Sequence, residues 1–400
     1  MDAVRTVDLD PKAAPVAGLT GEAPMVSGSD ARQVWLLMGD RAGDNSQILA
    51  LCEALGWPFE IKRLVYTPYE RFVNLPVTST LAGIDKRESS PLEGPWPDLV
   101  ISAGRRNEPV ARWIQRQAAG EKHVRLIHVG RPWAPLPWWD LVVTTPQYRL
   151  PDLPNVLQNE CPLHRITAER LAEAASEWKA LVDRLPRPYI ALLAGGNSGP
   201  YPFDRASGER LAEMASSLAE RTGGSLLVST SARTPDETTE ALFSGIRSPA
   251  YMYRWAPDTP ANPYFGFLGL ADQLIVTGDS VSMMAEACAT GKPVYLYDTG
   301  EGVNSMRFYW EKGQKADGRK GWQRFHRYNV KAFVYRQSMK WGPTRWTRDI
   351  RIVQQRLVES GRAAWLGDGA PDADAPPLRD VANAVDRVRA LFELPPVSDR

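Results

Sequence analysis

Residues 274–298 read LIVTGDSVSMMAEACATGKPVYLYD. Leu274–Val276 form a short apolar run, as in a buried strand. A sharp turn at Gly278–Ser280 follows, then the spacing of a short helix, then a second apolar run at Val294–Tyr297. Strand, turn, helix and strand in that order make the repeating unit of a parallel sheet with helices on its faces. Such sheets bind ligands at the carboxyl ends of their strands. Gly278 permits the tight turn there, and Asp279 or Ser280 can cap the helix. The free N–H groups of its first turn (Ser280–Met283), with the hydroxyls of Ser280 and Ser282, suit a phosphate or diphosphate. Glu286 lies seven residues past Asp279, about two turns along. Its carboxylate can reach a ribose and accept from both hydroxyls. The plainer alternative makes Asp279 and Ser280 caps and Glu286 a solvated helix residue. The small, apolar helix face around Glu286 favours the first reading.

The same unit recurs along the chain. Residues 33–38 are a buried strand, followed by the glycine loop GDRAGDNSQ (39–47) and a helix that Gly56 stops. FEIKRLVY, PDLVISAGRR, VRLIHVGRP and WWDLVVTTPQY supply further strands. TAERLAEAASEWKALVDRL (167–185) is amphipathic, with Thr167 as its N-cap. After it the pattern restarts with YIALLAGGNSG, SLLVSTSART, YMYRW and ADQLIVTGDS. LRDVANAVDRVRALFEL closes the chain as another amphipathic helix. The expectation is an α/β protein of two doubly wound Rossmann-like domains facing each other across a cleft. The expected boundaries are a disordered tail at 1–30, a first domain at 31–162, a linker helix at 163–186, a second domain at 187–375, and a helix at 376–395 packing back towards the hinge.

Four hundred residues favour two domains over one. A net charge of +1 argues against a nucleic-acid binder. Cys52, Cys161 and Cys288 form no CxxC pair, and the four histidines show no metal-ligand spacing, so no metal site and no cofactor are expected. No run of about 18 apolar residues suggests a membrane span. Residues 1–30 lack the apolar core of a signal peptide, and their five acidic residues argue against a transit peptide. The expected location is cytoplasmic. Residues 305–351 carry thirteen Lys or Arg, three Asp or Glu and ten aromatics. That segment either lies peripherally against anionic lipid at the inner membrane, holds an acidic acceptor, or is a solvated basic face.

Several strand ends carry chemistry. In the second half, Gly195, Gly196, Asn197 and Ser198 form a glycine loop, and Ser229, Ser231 and Arg233 another polar end, with Arg233 able to meet an anion. With Gly278 to Glu286 they converge on one crevice by topology. In the first half, Gly39 and Gly43 let the backbone approach a ligand. Asp40 and Asp44 are candidate bases, and Asn45 and Gln47 can recognise hydroxyls. Arg105, Arg106, His128 and Arg131 lie at neighbouring strand ends. Asp44 either serves as a base or only caps its helix, and His128 is either catalytic or a satisfied buried histidine.

Two resemblances follow from these residues. The two-domain plan, the first glycine loop and GDSVSMMAEACATGKPV resemble a GT-B glycosyltransferase. That resemblance implies a nucleotide-diphosphate sugar in the second domain, an acidic residue on its ribose, and acceptor and base in the first. GDRAGDNSQILALCEALG, PDLVISAGRR, LIHVGRP, LLAGGNSGPYPF and VTGDSVSMMAEACATGKPVYLYD are similar to a family named after a plant mitochondrial-fission factor, and past residue 300 the likeness thins to GWQRFHRY. Plant members are associated with recruiting a dynamin-related protein to mitochondria, whereas bacterial members have no mitochondrion to divide. Together the resemblances imply a metal-independent glycosyltransferase acting on an envelope glycan or lipid-linked acceptor, with Asp44 the first choice of base and His128 the second. The alternatives are a non-catalytic recruitment protein and a sugar-nucleotide epimerase.

Overall fold

The computed structural model describes residues 31–68, 79–257, 261–301, 305–307, 330–343 and 347–396. The expected tail at 1–30, the GWQRFHRY stretch and much of the basic segment lie outside the described residues. The chain forms two compact units.

The first unit holds β1 (Val34–Met38), α1 (Ala42–Leu55), β2 (Phe59–Arg63), β3 (Leu99–Ala103), α2 (Glu108–Ala118), β4 (Arg125–Val129), β5 (Leu141–Thr144) and β6 (Val156–Gln158). Its sheet runs β2-β1-β3-β4-β5-β6, and every neighbouring pair is parallel. Leu99–Ile101 and Leu126–Ile127 are buried on both faces, as parallel strands covered on each side must be. Gly56 ends α1 in the left-handed region and donates to the carbonyls of Cys52 and Glu53. The C-terminal helix, Asp380–Ala390, belongs to this unit. Its Ala384, Val385 and Val388 join Leu36, Ile48 and Leu51 in one core. The Asp380 carboxylate accepts from the backbone N–H of Glu160 (2.7 Å) and Cys161 (3.1 Å).

The second unit begins with α3 (Ala168–Val182), whose first turn is capped by the Thr167 hydroxyl accepting from Arg170 N–H at 3.2 Å. There follow β7 (Tyr189–Leu193), α4 (Arg205–Thr222), β8 (Ser225–Ser229), α5 (Asp236–Gly245), β9 (Ala250–Tyr253), α6 (Tyr264–Leu270), β10 (Gln273–Thr277), α7 (Val281–Ala289) and β11 (Val294–Tyr297). After these come α8 (Val330–Trp341), α9 (Arg351–Glu359) and β12 (Ala363–Trp365), and the C-terminal helix of the first unit is therefore α10. The sheet order is β12-β11-β10-β7-β8-β9, again all parallel. α3 lies tight against α6 because α6 offers glycine there: a Cβ on Gly266 would come within 2.5 Å of Trp178, and one on Gly269 within 2.4 Å of the Leu171 carbonyl.

Both units are thus doubly wound α/β sheets. Strand order reverses between β1 and β3 in the first unit and between β7 and β10 in the second. In doubly wound sheets such a reversal, at the carboxyl ends of the strands, is where ligands bind.

Candidate functional site

In the second unit the reversal brings the loop after β7 against the loop after β10. Gly195 N–H donates to the Thr277 hydroxyl (2.7 Å), which donates in turn to Asp279 Oδ1 (2.6 Å). Gly196 N–H donates to Asp279 Oδ2 (2.9 Å), and Arg233 Nη2 pairs with the same oxygen at 3.0 Å. The Asp279 side chain is 0% exposed, whereas that of Arg233 is 46% exposed. Burial raises the Asp279 carboxyl above its ordinary range, and Arg233, Thr277 and the Gly196 N–H partly offset this. Glycine is required at both loop positions: a Cβ on Gly195 would lie 2.4 Å from Asp279, and one on Gly196 1.9 Å from the Arg233 carbonyl.

The end of β8 closes over this loop. Ser231 donates to the Gly195 carbonyl (3.1 Å), and the Thr234 hydroxyl donates to the Ala194 (3.1 Å) and Gly195 carbonyls. Asn197 Oδ1 accepts from Phe203 N–H at 2.7 Å, Ser198 is buried in a backbone bridge to Tyr201, and Ser229 is buried at the strand end. Beside them is an open pocket of about 490 Å³, lined in part by Asn197, Ser231, Arg233, Thr234, Arg254 and Trp255.

Gly278 is pressed between the Gln354 amide, Met306 and the Tyr297 carbonyl, so it too has no room for a side chain. Ser280 is the N-cap residue of α7, but its side chain makes no capping bond. Asp279 points instead to Thr277 and Gly196, so neither side chain caps the helix. Ser280, Ser282 and Met283 are half-buried around its first turn. Two turns along, Glu286 Oε2 accepts from Tyr264 Oη at 2.5 Å. Burial raises the Glu286 carboxyl, with the Tyr264 bond and Arg170 opposing; burial, and then the Glu286 charge and bond, push the Tyr264 phenol well up.

In the first unit, Asn45 closes the loop after β1: its Oδ1 accepts from Gly39 N–H (3.2 Å) and its Nδ2 donates to the Gly39 carbonyl (2.8 Å). A Cβ on Gly39 would strike Tyr66 Oη at 2.2 Å. Asp40 pairs with Arg106 (2.8 Å), Gln47 donates to the Gly43 carbonyl (3.3 Å), and Gly43 itself faces open space. Asp44 is the third residue of α1, not its cap, and its carboxylate lies over Gly104 across the strand reversal. Arg105 stacks on Trp133, with its guanidinium 4.9 Å from the ring centre.

His128 is fully buried, 4.7 Å from the Trp139 ring centre and 3.3 Å from the Ser102 hydroxyl. Burial lowers its pKa to about 3, so the ring is neutral. This position fits a buried core histidine. The reading of strand ends missed Tyr264, Thr277 and Thr234, which orient Glu286, Asp279 and the glycine loop. Tyr264 and Thr234 are ordinary polar residues far in sequence from their partners, and Thr277, two residues before Asp279, reads only as the end of a strand. Among the described residues no cluster of His, Cys, Asp or Glu could hold a metal ion, and no helix is long and apolar enough to cross a membrane.

The model of the family described as Mitochondrial fission ELM1 matches residues 42–314. The chain belongs to that family. The second glycine loop, the Thr277–Glu286 stretch and the first glycine loop from Ala42 onward fall inside the matched Mitochondrial fission ELM1 region. The Mitochondrial fission protein ELM1 of Arabidopsis thaliana is 28% identical over 267 residues, covering 59% of this chain and 60% of the plant protein. The chain therefore spans less than two thirds of that relative. Among solved structures, a glycosyltransferase from Rickettsia africae is 11% identical, covering 82% of this chain and 97% of its own, with a TM-score of 0.39. The UDP-GlcNAc 2-epimerase of Methanocaldococcus jannaschii, solved with UDP-GlcNAc and UDP, is 13% identical, covering 88% and 91%, with a TM-score of 0.40.

Proposed function

We propose that the protein is a glycosyltransferase of the GT-B kind. It would bind a nucleotide-diphosphate sugar in the second unit and a glycan or lipid-linked acceptor in the first. The observation that carries the reading is the pairing of α7's uncapped first turn with Glu286 two turns behind it. Tyr264 fixes one carboxylate oxygen of Glu286 and leaves the other to accept ribose hydroxyls. Ser280, Ser282 and the first-turn N–H groups would hold the diphosphate, and Arg233 would balance the charge of the departing nucleotide. The acceptor oxygen forms the new bond to the anomeric carbon as the bond to diphosphate breaks. The displaced hydroxyl proton goes to Asp44, the group we assign as base. The basic, aromatic segment is the part that would touch an anionic membrane. Within it, Val334 and Trp341 lie one heptad apart on α8 and are 56% and 77% exposed.

The test is a thermal-shift panel of UDP, GDP, CDP and ADP sugars on wild type and Glu286→Gln. A ligand at about 100 times its Kd stabilises the fold by about 2.7 kcal/mol. One nucleotide class should stabilise wild type and do so less in Glu286→Gln. No response to any donor from folded protein would favour the second reading, a recruitment protein that keeps the fold. That reading draws on family membership and on Asp279, whose buried carboxylate already takes the Gly196 N–H. An epimerase would share the donor response but leave the sugar on its nucleotide.

A further inference from the structure

The loops after β8 and β9 border an open pocket of about 490 Å³, within the range of roughly 300–1,000 Å³ usual for small-molecule sites. Trp255 lines it, half-buried, and its backbone N–H donates to the Thr230 hydroxyl at 2.9 Å. Elsewhere in the chain tryptophan rings carry a cation: Lys62 on Trp35 (4.1 Å), Arg112 on Trp138 (4.8 Å) and Arg307 on Trp365 (5.0 Å). Among the described residues the Trp255 ring takes no cation, no second ring and no hydrogen bond. Its neighbour Arg254 turns instead to Glu240 (2.5 Å) and the Phe243 ring (5.6 Å). Two polar groups share the lining with the indole. Asp236 is exposed in the first turn of α5, and its carboxylate makes no hydrogen bond or ion pair among the described residues. Asn197 Oδ1 accepts from Phe203 N–H, which fixes the amide and leaves Nδ2 to donate.

An uncovered indole beside an unpaired carboxylate and an open amide matches a pyranose. The C–H face of such a ring packs on the indole, and its hydroxyls donate to Asp236 and accept from Asn197. An anion matches less well, since Glu240 already neutralises Arg254 and Asp236 adds a negative charge. We propose that this pocket binds one neutral sugar ring, with Trp255 as its platform and Asp236 and Asn197 as its hydroxyl partners. Two sources share that chemistry, the sugar of a nucleotide-sugar donor and a ring of a free saccharide. The first rests on the transferase reading, in which Glu286 keeps the nucleoside. β8 lies two strands from β10, about 10 Å at the usual strand spacing, so a sugar on a diphosphate at α7 comes within reach of the pocket. The second source does not depend on that reading.

The test is saturation-transfer NMR on the full chain. The probes are UDP, GDP, CDP and ADP, a sugar of each, and the methyl glycosides of glucose, mannose, galactose and N-acetylglucosamine. Wild type should saturate the ring C–H protons of at least one sugar. Trp255→Ala should weaken that binding about fivefold or more, the worth of an aromatic face. Asp236→Asn should weaken it about threefold or more through one hydrogen bond, and decides alone if Trp255→Ala does not fold. A sugar that responds only on its nucleotide is the donor's, and a responding methyl glycoside is the saccharide. Silence from every sugar, or sugar binding unchanged in the folded variants, overturns the proposal. So does a loss of base protons rather than sugar protons in Trp255→Ala, which would make the indole a nucleobase platform. Nucleotide signals with silent sugars sink this pocket and leave the transferase reading standing. Glycoside binding that needs Trp255, without any nucleotide response, upholds the pocket and removes the transferase reading.

Discussion

Asp279, fully enclosed, and Arg233, half in solvent, meet at 3.0 Å where the second sheet reverses its strand order. The pair joins three strand ends, since Asp279 also accepts from Gly196 and Thr277. Removing the arginine leaves a buried carboxylate without its counter-charge. Because Thr277 and Gly196 still donate to it, we expect Arg233→Ala to cost about 1–3 kcal/mol near neutral pH. Asp279 titrates higher folded than unfolded, so it costs stability as pH rises through that window. Arg233→Ala widens the window upward, and its deficit should shrink in mild acid as Asp279 takes up a proton. Urea unfolding at the two pH values checks this; a deficit that grows in acid would contradict it.

Gly196→Ala should be more damaging than Gly43→Ala. The first drives a methyl into the Arg233 carbonyl, while the second meets nothing within 4 Å. Backbone cannot give way as a flexible side chain can, so we expect a loss of about 1–3 kcal/mol or more for Gly196→Ala. Paired thermal melts decide it, and equal melting temperatures would show that the loop is looser than described.

His128 makes the first unit acid-sensitive. Its pKa falls from 6.5 to about 3 on folding, so the unfolded chain binds more protons between those values. Stability is retained above the unfolded value and lost as pH falls towards the folded one, at about 1.4 kcal/mol per pH unit from this group. His128→Leu should flatten that slope in equilibrium unfolding between those limits. An unchanged slope would place the acid sensitivity elsewhere.

Tyr264→Phe tests the ribose role of Glu286. The phenol favours the ionised carboxylate, so its removal raises the Glu286 pKa further. Donor affinity should fall as pH drops and Glu286 gains a proton, and in Tyr264→Phe that fall should begin at higher pH. At neutral pH we expect a loss of up to about tenfold, the worth of one hydrogen bond. Calorimetric titration of the responding nucleotide sugar across pH reads both.

Asp44→Asn should leave donor stabilisation nearly unchanged while lowering sugar transfer by about 10²–10⁴ fold, the usual range for a general base. Transfer at the wild-type rate by the Asn variant would remove Asp44 from the mechanism.

The sheets were legible because parallel strands are continuous apolar runs, and Val34–Met38, Leu99–Ala103 and Gln273–Thr277 announce themselves. β6 and β12, three residues each, are too short to show a pattern. α6, YFGFLGL, is apolar all round with glycines facing α3, so no helical stripe marks it. At the site, the glycine loops and Glu286 were visible as motifs. The partners were not, because residue 264 meets 286 and 233 meets 279 only after long-range packing. Its place before a helix marks Asp279 as a cap, and its deeper role as a clamp has no local signature.

The return of α10 to the first unit has a consequence for biosynthesis. Asp380 and Val385 complete a core begun at Val34. On the ribosome the first unit must wait, unfinished, while more than two hundred residues of the second unit are made. The second unit can close as soon as it emerges, so the part of the chain synthesised first is the last to become stable.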